Sequence, residues 1–416
     1  MRAGQRDLDI VLYGATGYVG GITAQYLAKV GGGVRIGLAG RSADRLQALQ
    51  QRLGTAAGDW PLIVADASEP AQLNAMAART QVVASTVGPY LKYGLPVVAA
   101  CAVAGTDYAD LTGEVPFVRR SIDGYHEQAV ANGARIVHSC GFDSIPSDLT
   151  VYALNRRAAQ DNAGGLEKTT LVIRDYSGGY AGGSISTMVE LIRSASDDPS
   201  VRPMLDDPYS LSPDRAAEPD LGAQPDLPSC PGADIAPELA GMWIGGYVMA
   251  LYNTRCVRRS NALMGWPYGR GLRYSETITL GRWPAAPFWA AMFNGAIAGA
   301  SRFGGDYLRL VPDQLIERLV PAPGKGYDQG LRGHYRVETY STTTLGARYV
   351  ATMRQQGDPG YSATAVMLGE SVLALVQNRD RLPDAHGVLT PASALGMVLL
   401  ERLVAAGVSM SVDRLP

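Results

Sequence analysis

The stretch from Ile10 to Gly21 reads IVLYGATGYVGG and continues into ITAQYLAKV. A β-branched apolar run that ends in a glycine turn and opens onto a helical sequence predicts a buried strand, a tight turn and a helix. Gly14, Gly17 and Gly20 have separate tasks in that turn: leaving the strand sharply, letting backbone amides approach a pyrophosphate, and letting helix and strand pack closely. The helix behind them presents unpaired N–H groups and the positive end of its dipole. Gly14, Thr16, Gly17, Tyr18, Val19 and Gly20 are therefore the expected dinucleotide-binding residues.

The following strand, Val34 to Gly40, tests which dinucleotide is meant, because an NAD site usually carries Asp or Glu about twenty residues past the glycines. Here the strand runs into Arg41 and Ser42. An acid would repel a 2′-phosphate, whereas Arg41 can pair with it and Ser42 can donate to it, so NADP(H) is expected. Leu62–Ala65 reads as a third strand closing on Asp66, in reach of the adenine, and Gln81–Thr86 as a fourth. Gly88 and Pro89 follow that strand at the carboxyl edge, where ligands of doubly wound sheets bind. Residues 108–111 and 134–139 supply two further short strands, so an α/β fold with an N-terminal Rossmann doubly wound parallel sheet is expected over residues 1–149.

Beyond Leu149 the pattern changes to strands that alternate in polarity, and a second α/β domain with a mixed sheet is expected over 150–385. Two of its segments stand out. Residues 196–241 are rich in Pro and Asp and too long for an ordinary connection, which suggests a lid or a mobile insertion. Residues 283–301 carry one uncharged run after Arg282, read either as a buried helix or as a face that meets an acyl chain or membrane. Trp243–Tyr252 and Cys256–Asn261 are read as strand-like, and 386–416 as a C-terminal helix packing back on the first domain.

With 416 residues and a net charge of −2, the chain has size for two domains and no basic footprint for nucleic acid. The four cysteines, Cys101, Cys140, Cys230 and Cys256, show no disulfide or metal spacing, which points to a reducing compartment. The N-terminus shows no apolar signal region, so a cytoplasmic protein is expected, with peripheral membrane association through 283–301 as an option.

The motifs GATGYVG (14–20), LAGRS (38–42), STVGPY (85–90), DYADLTGE (107–114) and HSCGFDSIPSDL (138–149) together resemble the saccharopine dehydrogenase-like family. They are most similar to the trans-acting enoyl reductases that serve polyketide synthases in bacterial lipid synthesis. DPYSLSPDRAAEPDLG, NTRCVRRSNAL, GDPGYSATAVML and GVLTPASALG extend the resemblance over nearly the whole chain. It implies an NADP-binding Rossmann domain, a C-terminal substrate domain, a carrier-bound acyl substrate and a synthase partner. A saccharopine-type amino-acid dehydrogenase and a non-catalytic NADP(H)-binding scaffold are the alternatives, and a homodimer is an allowed assembly.

Enoyl reduction requires stabilisation of enolate charge and a proton for the α-carbon. No Tyr-x-x-x-Lys pair stands at the helix of Tyr152, where Arg156 replaces the lysine. The expected catalytic residues are Tyr90 first, and Asp143 with Ser144 second, although a helix cap explains the latter two equally well. His138 reads as a satisfied core histidine and Cys140 as packing. A substrate with several carboxylates would instead need the dense cations Arg255, Arg258 and Arg259.

Overall fold

A computed structural model describes residues 6–177, 198–226, 228–292, 295 and 333–416. Two seven-stranded sheets organise them. Sheet A has the order β13-β6-β5-β4-β1-β2-β3, built from β1 (Leu8–Tyr13), β2 (Ile36–Gly40), β3 (Leu62–Val64), β4 (Thr80–Ser85), β5 (Asp107–Asp110), β6 (Arg135–Val137) and β13 (Gly387–Leu389). Every pairing is parallel. From Ile10 to Tyr13 strand β1 is buried on both faces, which is why that part of it reads as an unbroken hydrophobic run.

Helices α1 (Tyr18–Val30) and α2 (Ala43–Leu53) lie on one face of sheet A, while α3 (Pro70–Ala78), α4 (Tyr90–Ala104) and α5 (Val115–Asn132) pack in sequence along the other. Register brings the strand ends level. Tyr13 pairs with Ser85, and Ser85 with Asp110, so the residues that follow meet at one carboxyl edge. The strand order reverses between β1 and β4, which is where such sheets open a crevice.

Sheet B has the order β14-β12-β11-β7-β10-β9-β8, and its strands are β7 (Leu166–Ser177), β8 (Cys230–Pro231), β9 (Trp243–Gly246), β10 (Arg273–Gly281), β11 (His334–Thr343), β12 (Arg348–Gln356) and β14 (Ser409–Leu415). Only β7 and β10 run parallel, so the sheet is mixed. Helix α6 (Ile145–Gln160) leaves the edge of sheet A and packs with α7 (Ala250–Leu263) on sheet B.

The chain crosses between the layers more often than a simple division into consecutive domains allows. Helix α8 (Thr364–Gln377), expected within the second domain, packs against α1, β4 and β5 of sheet A. The Tyr26 hydroxyl donates to Glu370 at 2.5 Å, and Arg402 holds the other oxygen of that carboxylate at 2.7 Å. The run Pro359–Gln377 is long and apolar enough to cross a membrane, yet most of it is buried, and its neighbours identify it as core. The C-terminus is likewise more than a helix. Its β13 extends sheet A, a capping box at Thr390 starts the next helix, and β14 ends on the edge of sheet B.

Residues 256–261, read as strand-like, form part of helix α7. The segment 198–226 is not a loose insertion. Its irregular backbone leaves carbonyls without ladder partners, and arginines supply the missing donors: Arg119 to Ser210, Arg255 to Asp207, Arg258 to Pro208 and Arg259 to Leu211. Most of the second half of 283–301 falls outside the described residues.

Candidate functional site

The turn after β1 has the form that its glycines require. Gly14 adopts φ +84°, and a Cβ there would lie 2.6 Å from the Val87 side chain and 2.8 Å from the Thr86 hydroxyl. Thr86 in turn donates its backbone N–H to the Tyr13 carbonyl and its hydroxyl to the Gly14 carbonyl, locking the ends of β1 and β4 together. At Gly20 a Cβ would stand 2.2 Å from the Gly14 oxygen, so helix α1 approaches the turn more closely than any side chain permits.

Helices α1, α2 and α4 start at this edge beside the point where the strand order reverses, and their caps distinguish them. Glu114 caps α4 by accepting from the amides of Tyr90 at 2.9 Å and Leu91 at 2.6 Å. Ser42 caps α2 by accepting from the Arg45 amide at 3.4 Å. Helix α1 has no side-chain cap and no acid in its first turn. Its orphan N–H groups and dipole are thus directed at the crevice, which suits a pyrophosphate.

At the end of β2, Arg41 is exposed and Ser42 is half-buried. The Ser42 oxygen is engaged as an acceptor, which leaves its proton to donate to a phosphate. Asp66, expected in reach of the adenine, follows β3. Its carboxylate accepts from the backbone and hydroxyl of Ser68 at 2.9 and 2.7 Å, and these bonds hold it below the usual carboxylate range. It closes its own turn, with Arg41 close enough to stabilise its charge further.

Tyr90 is a correction. It is the first residue of α4, but its ring turns inward and only 5 % of it is exposed. The hydroxyl donates to the Ser85 carbonyl at 3.1 Å and accepts from the Leu111 amide at 3.2 Å, bracing the ends of β4 and β5. Burial pushes the phenol well above its ordinary value. Gly88 and Pro89, by contrast, remain accessible at the edge.

His138, directly after β6, is the satisfied core histidine expected from the sequence. Its Nδ1 faces Asp110 and its Nε2 faces Ser121, each at 2.8 Å, with all three side chains buried. Cys140 is buried and its thiol is pushed up by that burial. The loop that follows carries the groups nearest the crevice. Asp143 is half-buried, and Ser144 is buried at the start of α6 without capping it. Instead Asn253 grips both residues: its Nδ2 donates to the Asp143 carbonyl at 2.6 Å, and its Oδ1 accepts the Ser144 hydroxyl at 2.7 Å. The Asp143 carbonyl fixes the amide orientation, so the Ser144 proton is committed to Asn253. Ser144 is thereby left as an acceptor rather than a proton donor.

Beyond this loop the surroundings are apolar and aromatic. Phe142 packs against Tyr335 at 4.5 Å and Tyr176 at 6.4 Å between ring centroids. Tyr18, at the cofactor turn, meets Tyr361 edge-on at 4.6 Å. A Cβ on Gly113 would come within 2.6 Å of the Met249 methyl, so the 243–252 segment closes directly over the edge of sheet A.

Residues 10–137 match the family model of the saccharopine dehydrogenase NADP-binding domain. A trans-acting enoyl reductase of Mycobacterium bovis is 56% identical over 418 residues, covering 100% of both chains. A Mycobacterium tuberculosis protein that carries the same name provisionally is 58% identical over 419 residues, again over 100% of both. The chain belongs to the saccharopine dehydrogenase-like family, among its trans-acting enoyl reductases. It is an NADP(H)-dependent oxidoreductase, and the open turn before α1 lies within the matched NADP-binding domain. Apo saccharopine dehydrogenase from Saccharomyces cerevisiae shares the fold, with a TM-score of 0.57 at 15% identity over 98% of this chain and 100% of its own.

Within this family member the arginine cluster has a structural task. Arg255, Arg258 and Arg259 stand on helix α7 and are at most 4 % exposed. Besides the segment 207–211, they bond the carbonyls of Tyr274 and Val388 and the carboxylate of Asp226. None is arranged to receive substrate carboxylates. The sequence reading missed Asn253, Glu114 and Glu276. One signal was available for Glu276: a carboxylate in phase with Tyr274 on an alternating strand, at a position that proves buried.

Proposed function

We propose that this protein reduces the carbon–carbon double bond of an enoyl thioester carried on a separate synthase, with NADPH as reductant. The similarity to trans-acting enoyl reductases from end to end carries this reading. Bound NADPH supplies the hydride. The uncapped α1 turn holds the pyrophosphate, Arg41 and Ser42 receive the 2′-phosphate, and Gly88 and Pro89 border the reactive ring. Asp143 and Ser144 orient the polar head of the acyl chain. Tyr176 and Met249, partly buried beside the core residue Phe142, offer the apolar surface on which the chain lies.

The disposition of the arginines weighs against a saccharopine-type substrate, because the cations that would pair with its carboxylates already serve the protein's own carbonyls. Trp283, Phe288, Trp289 and Met292 are each about half exposed, which supports contact of this segment with an acyl chain or a membrane face. Four free cysteines fit action in a reducing cytoplasm.

The test is a comparison of substrates at fixed NADPH. An α,β-unsaturated acyl-carrier thioester should drive loss of the cofactor's near-ultraviolet absorbance, and saccharopine with NADP+ should not restore it. Turnover of saccharopine with an inert enoyl thioester would reverse the assignment.

A further inference from the structure

The described residues hold one buried carboxylate that reaches the 143–144 loop through a single intermediary. Glu276, on β10, is fully buried. Its Oε1 accepts from the Tyr274 hydroxyl at 2.8 Å, and its Oε2 accepts from Asn253 Nδ2 at 2.9 Å. The same Nδ2 faces the Ser147 hydroxyl at 3.1 Å and the Asp143 carbonyl at 2.6 Å. One amide therefore ties sheet B to the loop at the carboxyl edge of sheet A.

We propose that Asn253 and Glu276 are positioning residues of the reduction: Glu276 holds the Asn253 amide, and Asn253 sets where Ser144 and the Asp143 backbone stand at the crevice. The proposal rests on the enoyl reductase reading for the chemistry and on the hydrogen bonds alone for the positioning.

The surroundings of Glu276 make this link responsive to pH. From its own strand it meets Tyr274, from α6 Ser147, from α7 Asn253 and Cys256, and from the 198–226 segment Asp226, while Asp148 and Arg258 act on Tyr274 behind it. Arg258 spends its Nη2 on the Tyr274 carbonyl, and among the described residues no cation bonds Glu276. Burial accordingly pushes the carboxyl from its ordinary 4.5 up to about 7. Every group bonded to it donates, an arrangement that fits the acceptor-only carboxylate. Protonation supplies a hydrogen where an acceptor is needed and loosens the hold on Asn253.

The experiment compares wild type, Glu276→Gln and Asn253→Ala in kcat/KM for an enoyl thioester between about pH 6 and about pH 8, with NADPH affinity measured alongside. Wild-type activity should rise through about pH 7 by several-fold, roughly the difference between a neutral and a charge-assisted hydrogen bond. Glu276→Gln should be flat over that range. Asn253→Ala should lose about a hundredfold in kcat/KM at every pH while binding NADPH as wild type does. An unchanged pH step in Glu276→Gln, or wild-type turnover in Asn253→Ala, would overturn the proposal. Absence of wild-type turnover would refute the reductase reading instead. Positioning is then judged on the NADPH-bound protein by amide exchange of 141–147, corrected for intrinsic rates. Protection should increase with pH in wild type and stay constant in Glu276→Gln; equal behaviour of the two proteins would overturn the positioning claim by itself.

Discussion

Two adjacent glycines on α1 offer a sharp test of the cofactor cradle. In Gly20→Ala the new Cβ lies 2.2 Å from the Gly14 oxygen and 2.9 Å from the Ala15 Cα, both backbone atoms. Ordinary contact requires roughly 1 Å more, so the 14–17 turn must move away from the helix. That displacement misaligns the amides that face the pyrophosphate. Each hydrogen bond to a charged group is worth about 1.5–3 kcal/mol, so losing the alignment of one or two weakens NADPH binding by roughly a hundredfold. Overpacking at the same point also costs about 1–3 kcal/mol of stability. Gly21→Ala is the control. Its Cβ meets nothing closer than the Ala15 oxygen at 3.9 Å, so the exchange removes a helix-interior glycine and stabilises by about 0.5–1 kcal/mol. The assay is NADPH titration by fluorescence together with thermal unfolding of the cofactor-free proteins. Equal NADPH affinity in the two variants would refute the assignment of this turn as the cradle.

Other perturbations separate cofactor choice, packing and ionisation. Arg41→Ala should weaken NADPH by roughly ten- to a hundredfold and leave NADH nearly unaffected, as competitive titration of the two cofactors would show. Tyr90→Phe removes the partner of the buried Leu111 amide, so it should lower stability by about 1–3 kcal/mol in denaturant unfolding while leaving kcat per folded molecule intact. For Glu276 the folded-state pKa is raised, so its contribution to stability is fully present below about 4.5 and lost as pH rises through about 7. Across that window wild type should lose up to about 3 kcal/mol relative to Glu276→Gln, measured as the difference between their unfolding free energies at each pH.

Much of sheet A is legible in the sequence because β1, β2 and β4 each carry a short apolar run ending near a small or turn-forming residue. The run 10–13 and the glycines behind it need no tertiary information, since close approach and positive φ leave few residue choices. Asn253 was not legible for the opposite reason, and Glu276 was marked only by its phase with Tyr274. Both acquire their roles only when α7 and β10 bring them against the 143–147 loop. The arginine cluster misled in a related way. Residues 257–259 alternate sides if extended, but helix α7 puts the guanidinium groups of Arg255, Arg258 and Arg259 on backbone carbonyls of a distant segment. Tyr90 shows that position in the chain does not fix the direction of a side chain. Its place after a Gly-Pro edge is right for a ligand contact, yet its ring fills the space between the ends of β4 and β5.

The most direct measurement follows a labelled hydride. NADPH deuterated at its transferable ring position is incubated with the protein and an enoyl-acyl carrier, and the acyl chain is then released for mass spectrometry. The account predicts a saturated chain that carries one deuterium at the β-carbon, with NADP+ formed in equal amount. An unsaturated chain recovered unlabelled beside intact NADPH, from protein shown to bind the cofactor, would contradict it.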